Sequence, residues 1–571
     1  MKQNLFVSGI FRRIAELLEI KGDNLFRIRA YLRAADNIET LKEDIGDYVR
    51  DNRVTDIAGI GKDLADKIRE IVESGQCGYY EELKRTVPAS VVEMLSIPSV
   101  GPKTVKLFFD KFGIRSIKSL EKAANSDLLL NAKGVKRKTL DNILKGIALL
   151  KKGKERIDLL TASNAAYEVT DGLKGVKEID KISVAGSLRR MKDTVRDIDI
   201  LVSSRDPKKI IGAFLGLSVV DRILARGDTK SSVLTKNDIQ IDLRVVKREE
   251  FAAGLLYFTG SKNHNIRLRS MAIKLGLKLN EYGVFDKRGR RFAVKTEGDI
   301  YKLLSLDFIP PEMREDTGEI EASAQGRLPE LIRLDDIKGD LHAHTDYSDG
   351  EDTVETMSKK ARNLGYSYIC LTDHSVSLKI AKGLDARRLK RKKNDIDRAN
   401  KGIKDFRVLF GTEAEIDSDG NIDYSDATLS QFDIVVGAIH SGFKQSKKQL
   451  TKRIVNACKN ENVHIIAHPT GKLWPVREPY DIDLEEVFKV ACDTNTALEI
   501  NAHPYRLDLS DINSRIAKEK KVRLAINTDS HSAGHLDYMK FGVGLARRAW
   551  LEKGDVLNTL ALDKLLKAIK K

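Results

Sequence analysis

The sequence predicts a multidomain α/β protein with a helical N-terminal part, a mixed α and β middle and a C-terminal barrel of βα units. Three observations predict it. A glycine-containing turn followed by an amphipathic helix recurs three times before residue 156. An Asp-x-Asp pair stands in a β-rich run near residue 198. After Ile337 short apolar strands alternate with helices. A chain of 571 residues is also too long for one core, so several domains are expected.

Composition bounds the function. Hydrophobic residues make up 41% and charged residues 32%, a soluble globular balance, and no apolar run is long enough to span a bilayer. Met1 to Ile20 alternates charged and apolar residues and lacks the apolar core and cleavage site of a signal peptide. Cys77, Cys370, Cys458 and Cys492 stand far apart, which fits a reducing cytoplasm and gives no disulfide framework. The expectation is a cytoplasmic monomer with no membrane partner. The net charge of +16 points to a polyanion, nucleic acid first, although charge alone also suits a plain basic protein. It is concentrated between Gly101 and Arg156, with 15 Lys or Arg against 5 Asp or Glu. Nine of the ten histidines follow residue 340, so two chemistries are expected on one chain.

Phe11–Ile20 and Phe26–Leu41 carry apolar residues at helical spacing. The recurring turns are Ile57-Ala-Gly-Ile-Gly-Lys62, Ile97-Pro-Ser-Val-Gly-Pro-Lys103 and, more loosely, Asn131-Ala-Lys-Gly-Val-Lys136. They resemble helix-hairpin-helix motifs, in which glycine lets the backbone approach a phosphate and the next helix N-terminus donates its amides. Gly59, Gly61, Val100, Gly101 and Lys103 are the expected DNA contacts. One such turn is weak, because such turns also join plain helix pairs; repetition in a basic region favours DNA. Farther on, Ile182–Ala185, Ile198–Val202 and Ile239–Val246 read as strands, and Glu312–Gln325 reads as a polar linker. Tyr368–Thr372, Val408–Gly411, Ile434–Ala438, Val463–Ala467, Ala497–Asn501 and Arg523–Asn527 set the later βα rhythm.

Asp197 and Asp199, at i and i+2 of a strand, share a face and make an oxygen-rich site for Mg²⁺. Asp242 lies in a second strand that could complete it. The bland alternative is a strand with charges facing water. Gly186-Ser-Leu-Arg-Arg190 lies upstream, where a turn can hold a triphosphate and Arg189 or Arg190 can neutralise it, and Tyr257-Phe-Thr-Gly-Ser261 follows. In this order the motifs resemble a family X DNA polymerase similar to polymerase beta, over roughly residues 1 to 315. The resemblance implies a nucleotidyltransferase-type palm and an α+β thumb. It implies that Asp197, Asp199 and Asp242 hold two Mg²⁺ ions, which activate the primer 3′-hydroxyl and neutralise the triphosphate, with Asp242 closest to the hydroxyl. Ser187 and Arg190 would touch phosphates, Tyr257 and Phe258 would line the sugar pocket, Asn265 would reach the base edge and Arg269 the template, with Gly260 also among the nucleotide-binding residues. Lys262 stands where polymerase beta has an acidic residue, and Val195-Arg196 replaces a Ser-Gly pair.

The first residues resemble that family's lyase domain, with Lys67 where its Schiff-base lysine sits. An amine there attacks an abasic-sugar aldehyde and releases 5′-deoxyribose phosphate. The alternative is a lysine on a solvated helix face, and Phe26 replaces a supporting histidine.

His342-x-His344 opens the last part, and further candidates follow at successive strand ends, where barrel sites are built: Asp349, Asp373-His374, Glu413, His440, His468, Asp529 and His531. With Ser348-Asp-Gly350, Gly411-x-Glu413 and Asp529-Ser-His531 the set resembles the polymerase-and-histidinol-phosphatase (PHP) domain, a trinuclear phosphoesterase on a distorted seven-unit barrel. The resemblance implies that His342, His344, Asp349, His374, Glu413, His440, His468, Asp529 and His531 hold up to three Mn²⁺ and/or Zn²⁺ ions, with Glu413 bridging two. His503 would touch substrate, and His464 would be structural. Arg387–Lys393 is a basic helix, a solvated face or a guide for DNA.

The expected organisation is a lyase-like domain at 1–90, a helix-hairpin-helix subdomain at 91–152, a palm at 153–248, a thumb at 249–315, a linker at 316–336 and a PHP domain at 337–571. Gapped or nicked DNA and deoxynucleoside triphosphates are the expected partners. Three readings stand: a gap-filling polymerase with a 3′-end or abasic-site nuclease; a polymerase whose PHP domain is structural or a phosphatase of small molecules or pyrophosphate; and a DNA-binding module with both sites dead. Intact carboxylates and a full ligand set argue against the third.

Overall fold

The structure, a computed structural model, describes residues 2–39, 41, 44–97, 100–126, 128–132 and 135–571. It divides into two units, Met1–Lys154 and Glu155–Lys571. Among the described residues no helix is long and apolar enough to cross a membrane.

The first unit is helical. Lys2–Lys21 and Leu25–Glu39 pack through Phe11, Leu18, Tyr31 and Ile38, and Lys62–Ser74, Pro102–Phe112 and Arg137–Glu155 add Ile68, Phe108 and Ile143 to the same core. Each expected glycine turn closes with the same backbone bond: Ile60 N to Ile57 O at 3.0 Å, Val100 N to Ile97 O at 3.0 Å and Val135 N to Ala132 O at 3.1 Å. Pro98, Ser99, Lys133 and Gly134 of these motifs lie outside the described residues.

The second unit opens with a five-stranded sheet. Its strands are β1 (Ile179–Val184), β2 (Asp197–Ser204), β3 (Val220–Arg226), β4 (Lys230–Thr235) and β5 (Gln240–Val246), in the spatial order β1-β2-β5-β4-β3. Only β2 and β5 pair in parallel. The hairpin β3–β4 is missing from the sequence expectation because β3 mixes apolar and charged residues and is exposed along most of its length.

The barrel has seven parallel strands in chain order: β6 (Gly339–Ala343), β7 (Tyr368–Leu371), β8 (Arg407–Glu415), β9 (Ile434–Ala438), β10 (Ile465–Ile466), β11 (Ala497–Asn501) and β12 (Leu524–Asn527). It closes through a single bridge, Ala343 to Ser530, rather than a regular ladder. Both faces of the strands are buried, which is why their sequences are nearly continuous apolar runs. Leu341, Cys370, Leu409, Val436 and Ala525 fill the lower interior, and Leu565 and Ile569 at the C-terminus pack against them. The interior is tight: a Cβ on Gly411 would meet Cys370 Sγ at 2.4 Å. Along β8, Leu409, Gly411 and Glu413 alternate onto one face; Ala525 and Asn527 do so at β12, and Asp529 follows just beyond its end. Apolar residues therefore lie low and metal-binding residue types at the C-terminal rim.

The expected linker is folded instead. Residues 311–325 contain the turn Pro311–Met313 and the helix Glu319–Ala324, with Arg314 and Glu319 fully buried. The acidic residues are partnered rather than solvated: Glu312 with Arg547, Glu315 with Arg190 and Arg548, and Glu319 with His264. Composition alone cannot separate the two cases.

Candidate active sites

In the parallel pair β2–β5, Asp199 lies directly opposite Asp242, and Asp197 shares the face of Asp199. Gly186 has φ +63, and a Cβ there would stand 2.2 Å from Asp199 Oδ2, so only glycine lets the turn lie against this carboxylate. Burial, then the charges of Asp197 and Asp242, push the Asp199 carboxyl up to about 6. Burial also pushes Asp242 up, but hydrogen bonds from Lys230, Gln240 and Ser232 outweigh it and hold Asp242 below the ordinary carboxylate range. Lys230 Nζ is 2.8 Å from Asp242 Oδ2 and Gln240 Nε2 donates to Oδ1 at 2.9 Å. Three crowded carboxylates with one ammonium nearby are a donor set that fits hard divalent cations.

Around this face the structure gathers most of the expected nucleotide contacts. Ser187 follows Gly186 in the short helix Gly186–Arg189. Phe258 lines a cavity with Asp199, Lys230, Asp242 and Arg244, and the Arg244 guanidinium lies 4.5 Å over its ring. Tyr257 packs edge-on against Phe258 at 5.1 Å. Asn265 Nδ2 donates to the Tyr257 carbonyl at 2.6 Å, and a Cβ on Gly260 would collide with Asn265 Oδ1. Arg269 is exposed. The two arginines part ways. Arg189 is bidentate on buried Glu297, which also takes Arg314 Nη1 at 2.6 Å. Arg190 bonds Glu315 Oε1 at 3.0 Å and the Thr259 carbonyl at 2.7 Å.

At the barrel rim eight of the nine expected ligands fall into three groups that could each hold an ion, His344-Asp349-His374-His531, His342-His344-Asp529 and His374-Glu413-His440, and the ninth, His468, lies against Glu413. His342 Nε2 and His344 Nε2 face each other at 3.2 Å, with Asp529 Oδ1 3.2 Å from His344 Nε2. Glu413 stands centrally: Oε2 is 3.4 Å from both His342 and His344, and Oε1 is 3.2 Å from His440 and 3.1 Å from His468. Asp349 meets His374 at 3.4 Å and His531 at 3.5 Å. His342 donates its Nδ1–H to Glu499 at 2.8 Å, His440 to Glu415 at 2.7 Å and His531 to the Asp529 carbonyl at 2.8 Å. In these three the outer nitrogen is occupied and the Nε2 lone pair turns inward, as metal ligation requires. By contrast, Nδ1 of His344, His374 and His468 is buried without a hydrogen-bond partner, and His374 sets Nδ1 3.0 Å from Glu413 Oε2. Burial first, then neighbouring cationic groups, push His344 and His468 down to about 4, so both are neutral donors. Burial raises Glu413, but His374, His440 and His342 outweigh it and hold it far below the ordinary range. His468 and Asp529 adopt left-handed backbones, φ 27 and 52. The residues fit a multinuclear metal centre.

Asp373 is no member of it. Fully buried, it pairs with Lys392 Nζ at 2.8 Å and accepts from Thr345 and Ser348. Lys392 is correspondingly not part of a solvated basic face, whereas Arg387, Lys390 and Arg391 of the same helix are exposed. His464 accepts the Val435 amide at 3.0 Å, a structural place. Sequence reasoning missed Glu499 and Arg506. Glu499 holds His342 and the His468 amide. Arg506 lies 3.2 Å from Asp529, and its Nη1 is buried without a hydrogen-bond partner.

In the helical unit Gly61 and Gly101 cap the helices Lys62–Ser74 and Pro102–Phe112, Val100 is buried and Lys103 is exposed. Gly59 has φ +77. Lys67 Nζ pairs with Asp63 Oδ1 at 2.6 Å and lies 5.3 Å over the Tyr79 ring, while Phe26 is exposed.

Comparison with known proteins agrees along the chain. Residues 254–315 match the DNA polymerase beta thumb and 340–503 the PHP domain. Residues 2–77 match a helix-hairpin-helix domain and 91–148 a SAM-like helix-hairpin-helix tandem. The DNA polymerase/3′-5′ exonuclease PolX of Bacillus subtilis (strain 168) is 37% identical over 556 residues, 97% of each chain. A probable phosphatase of Thermoanaerobacter sp. (strain X514) is 28% identical over 236 residues, 38% of this chain and 89% of its own. One of Caldicellulosiruptor saccharolyticus is 32% identical over 205 residues, 34% of this chain and 80% of its own. Because the Bacillus match runs through both sites and nearly the whole length of both proteins, the chain belongs to the bacterial-type family X DNA polymerases with helix-hairpin-helix domains and a C-terminal PHP domain.

Proposed function

We propose that the chain fills short gaps in damaged DNA and that its PHP domain hydrolyses DNA phosphodiesters at 3′ ends. The observation that carries the polymerase half is Asp199 opposite Asp242 across a parallel pair, with Asp197 on the same face and a glycine turn against them. In this reading residues 153–248 are the palm and 249–315 the thumb. Two Mg²⁺ ions, when bound, supply the charge that activates the primer hydroxyl and stabilises the leaving pyrophosphate. The chain's own part is positional. The three aspartates fix that charge, Ser187 and Arg190 orient the triphosphate, and Tyr257 and Phe258 restrict the sugar. The primer O3′–Pα bond forms as the Pα–O bond to pyrophosphate breaks. Asp242→Ala is expected to abolish extension while DNA binding persists; extension of gapped DNA at the wild-type rate overturns the assignment.

In the PHP half, Mn²⁺ or Zn²⁺ supplies the activation of water and the neutralisation of phosphate. Glu413 links the ligand groups, and Arg506, beside Asp529, offers a fixed cation to a phosphate oxygen. Water oxygen bonds to phosphorus, the P–O3′ ester bond breaks, and a 5′-mononucleotide leaves a strand one residue shorter. The 3′-5′ exonuclease named in the Bacillus relative supports this choice of bond. His342→Ala is expected to abolish cleavage and to spare gap filling; cleavage that survives places the activity elsewhere. A second reading, phosphatase action on small esters, draws support from the probable phosphatases that match about a third of the chain. Incision at abasic sites by the same centre, and 5′-deoxyribose phosphate release by Lys67, remain part of the proposal. For Lys67, borohydride trapping on an abasic 5′ end is the test.

A further inference from the structure

Four aromatic rings lie beside the PHP metal ligands without being among them. They come from the two loops that follow β11 and β12, the second of which also carries Asp529 and His531. His503 meets Tyr505 at 5.5 Å, His535 at 5.6 Å and Tyr538 at 5.4 Å, the last two edge-on. His535 and Tyr538 stack at 4.8 Å and 20°. Tyr505 is 40% exposed, and the other three are half-buried. The group is tied to the ligands by short links. The His503 amide donates to Asn501 Oδ1 at 3.0 Å, and Asn501 Nδ2 donates to Asp529 Oδ2 at 3.1 Å. The His531 amide donates to His535 Nδ1 at 3.3 Å.

A phosphate at the centre therefore has a cluster of rings beside it, of which Tyr505 is open to solvent. A small aliphatic phosphate ester has nothing to place there. A nucleotide does, since every base presents a π face and stacking on aromatic side chains tolerates any sequence. We propose that His503, Tyr505, His535 and Tyr538 form a stacking subsite for the terminal nucleobase of the DNA strand whose phosphodiester lies at the metal centre. This rests on the phosphodiesterase reading and supplies what that reading lacks, a physical reason for nucleic acid over small esters. Tyr505, the most exposed ring, is the residue through which it is tested.

The test uses the full chain with Mn²⁺ and two DNA duplexes that differ only at the 3′ residue: one ends in an ordinary nucleotide, the other in the same sugar phosphate without a base. For the wild type, kcat/KM is expected to favour the base-bearing end by about tenfold or more. In Tyr505→Ala that ratio is expected to fall towards one, and Tyr505→Phe or Tyr505→Trp to restore it. Melting temperature and bound Mn²⁺ report whether the variants keep fold and centre. A ratio near one in the wild type, or a ratio unchanged in Tyr505→Ala, overturns the subsite while leaving the nuclease intact. If the wild type cleaves neither end yet hydrolyses a small phosphate ester, the phosphodiesterase reading falls and the subsite with it.

Discussion

Arg548, on the barrel helix Met539–Arg548, donates to the backbone carbonyl of Arg190 in the polymerase part at 2.8 Å. The same guanidinium reaches Glu315 at 3.0 Å and Asp511 at 2.6 Å, and Glu315 in turn holds Arg190. The barrel helix thus holds the backbone of Arg190 directly and its guanidinium through Glu315, and Arg190 is the residue proposed to orient the triphosphate. Arg548→Met is expected to raise the KM for nucleotide in gap filling about tenfold, ~1.4 kcal/mol, with kcat changed less. Equal loss in kcat and kcat/KM would instead place Arg548 in transition-state stabilisation.

Gly61 and Gly101 separate a fold requirement from a binding requirement. Their φ values, −86 and −100, suit any residue, and a Cβ on either meets nothing within 4 Å. Alanine is therefore expected to leave the melting temperature within about 2 °C, roughly the effect of a change well under 1 kcal/mol. DNA affinity is expected to fall about tenfold per substitution, because the methyl group stands where a phosphate would approach the amides. Gly59, at φ +77, should lose stability as alanine. Undiminished DNA binding by the Gly61→Ala, Gly101→Ala double variant would remove these turns from the interface.

Glu499 holds His342 in the tautomer whose Nε2 faces the centre. Glu499→Gln should cut metal affinity and nuclease rate by roughly 10- to 100-fold, the usual effect of losing such a partner. Metal content after dialysis checks the first, and gap filling on the same sample should be unchanged.

The thumb has its own pH response. His264 donates Nδ1–H to Glu319 at 2.6 Å and accepts the Tyr301 hydroxyl at 2.9 Å. Burial, with repulsion from Arg314, holds its pKa below 6.5 despite Glu319. The unfolded chain then takes up this proton at higher pH than the fold does. Stability contributed here is complete above about pH 7 and declines as pH falls through 6.5 towards the folded value. Thermal unfolding between pH 7.5 and 5.5 should show this decline, and His264→Gln should flatten it.

Lys392 is buried with Asp373 and also donates to the Leu371 and Gly411 carbonyls. Lys392→Met leaves the buried Asp373 carboxylate with its Thr345 and Ser348 hydrogen bonds but without the Lys392 charge and is expected to destabilise the barrel by about 3 kcal/mol. Arg387→Ala and Arg391→Ala, at exposed positions, should leave stability alone; if this helix guides DNA, each lowers the salt dependence of binding by about one ion. A neutral Lys392→Met would contradict the burial argument.

What the sequence revealed follows the range of the interactions. The carboxylates on β2 and β5 are legible because strand periodicity locates them; the rim ligands show as polar residues near strand ends, but the family resemblance, not their position, separates the nine from Asp373. Glu499 and Arg548 are not legible, because their roles arise from contacts with His342, 157 residues away, and with Arg190, 358 residues away. The acidic stretch 312–325 misleads because partners distant in sequence neutralise it. Lys392 misleads likewise: a run of cations shows no sign of which one turns inward.

The pair of arginines on Glu297 constrains movement. Arg189 belongs to the turn beside Asp199, and Glu297 to the helix Glu297–Leu303 in the thumb; Arg314 closes the triad from the segment that leads to the barrel. Opening the Arg189 arm would break two parallel charge-assisted hydrogen bonds to a largely buried carboxylate, so the closed triad is favoured. Turn, thumb helix and connecting segment should therefore travel as one piece. In the proposed polymerase reading, nucleotide selection would then rest on small rearrangements around Tyr257, Phe258 and Arg244, and a spin-label pair across turn and thumb should report a single distance with and without nucleotide.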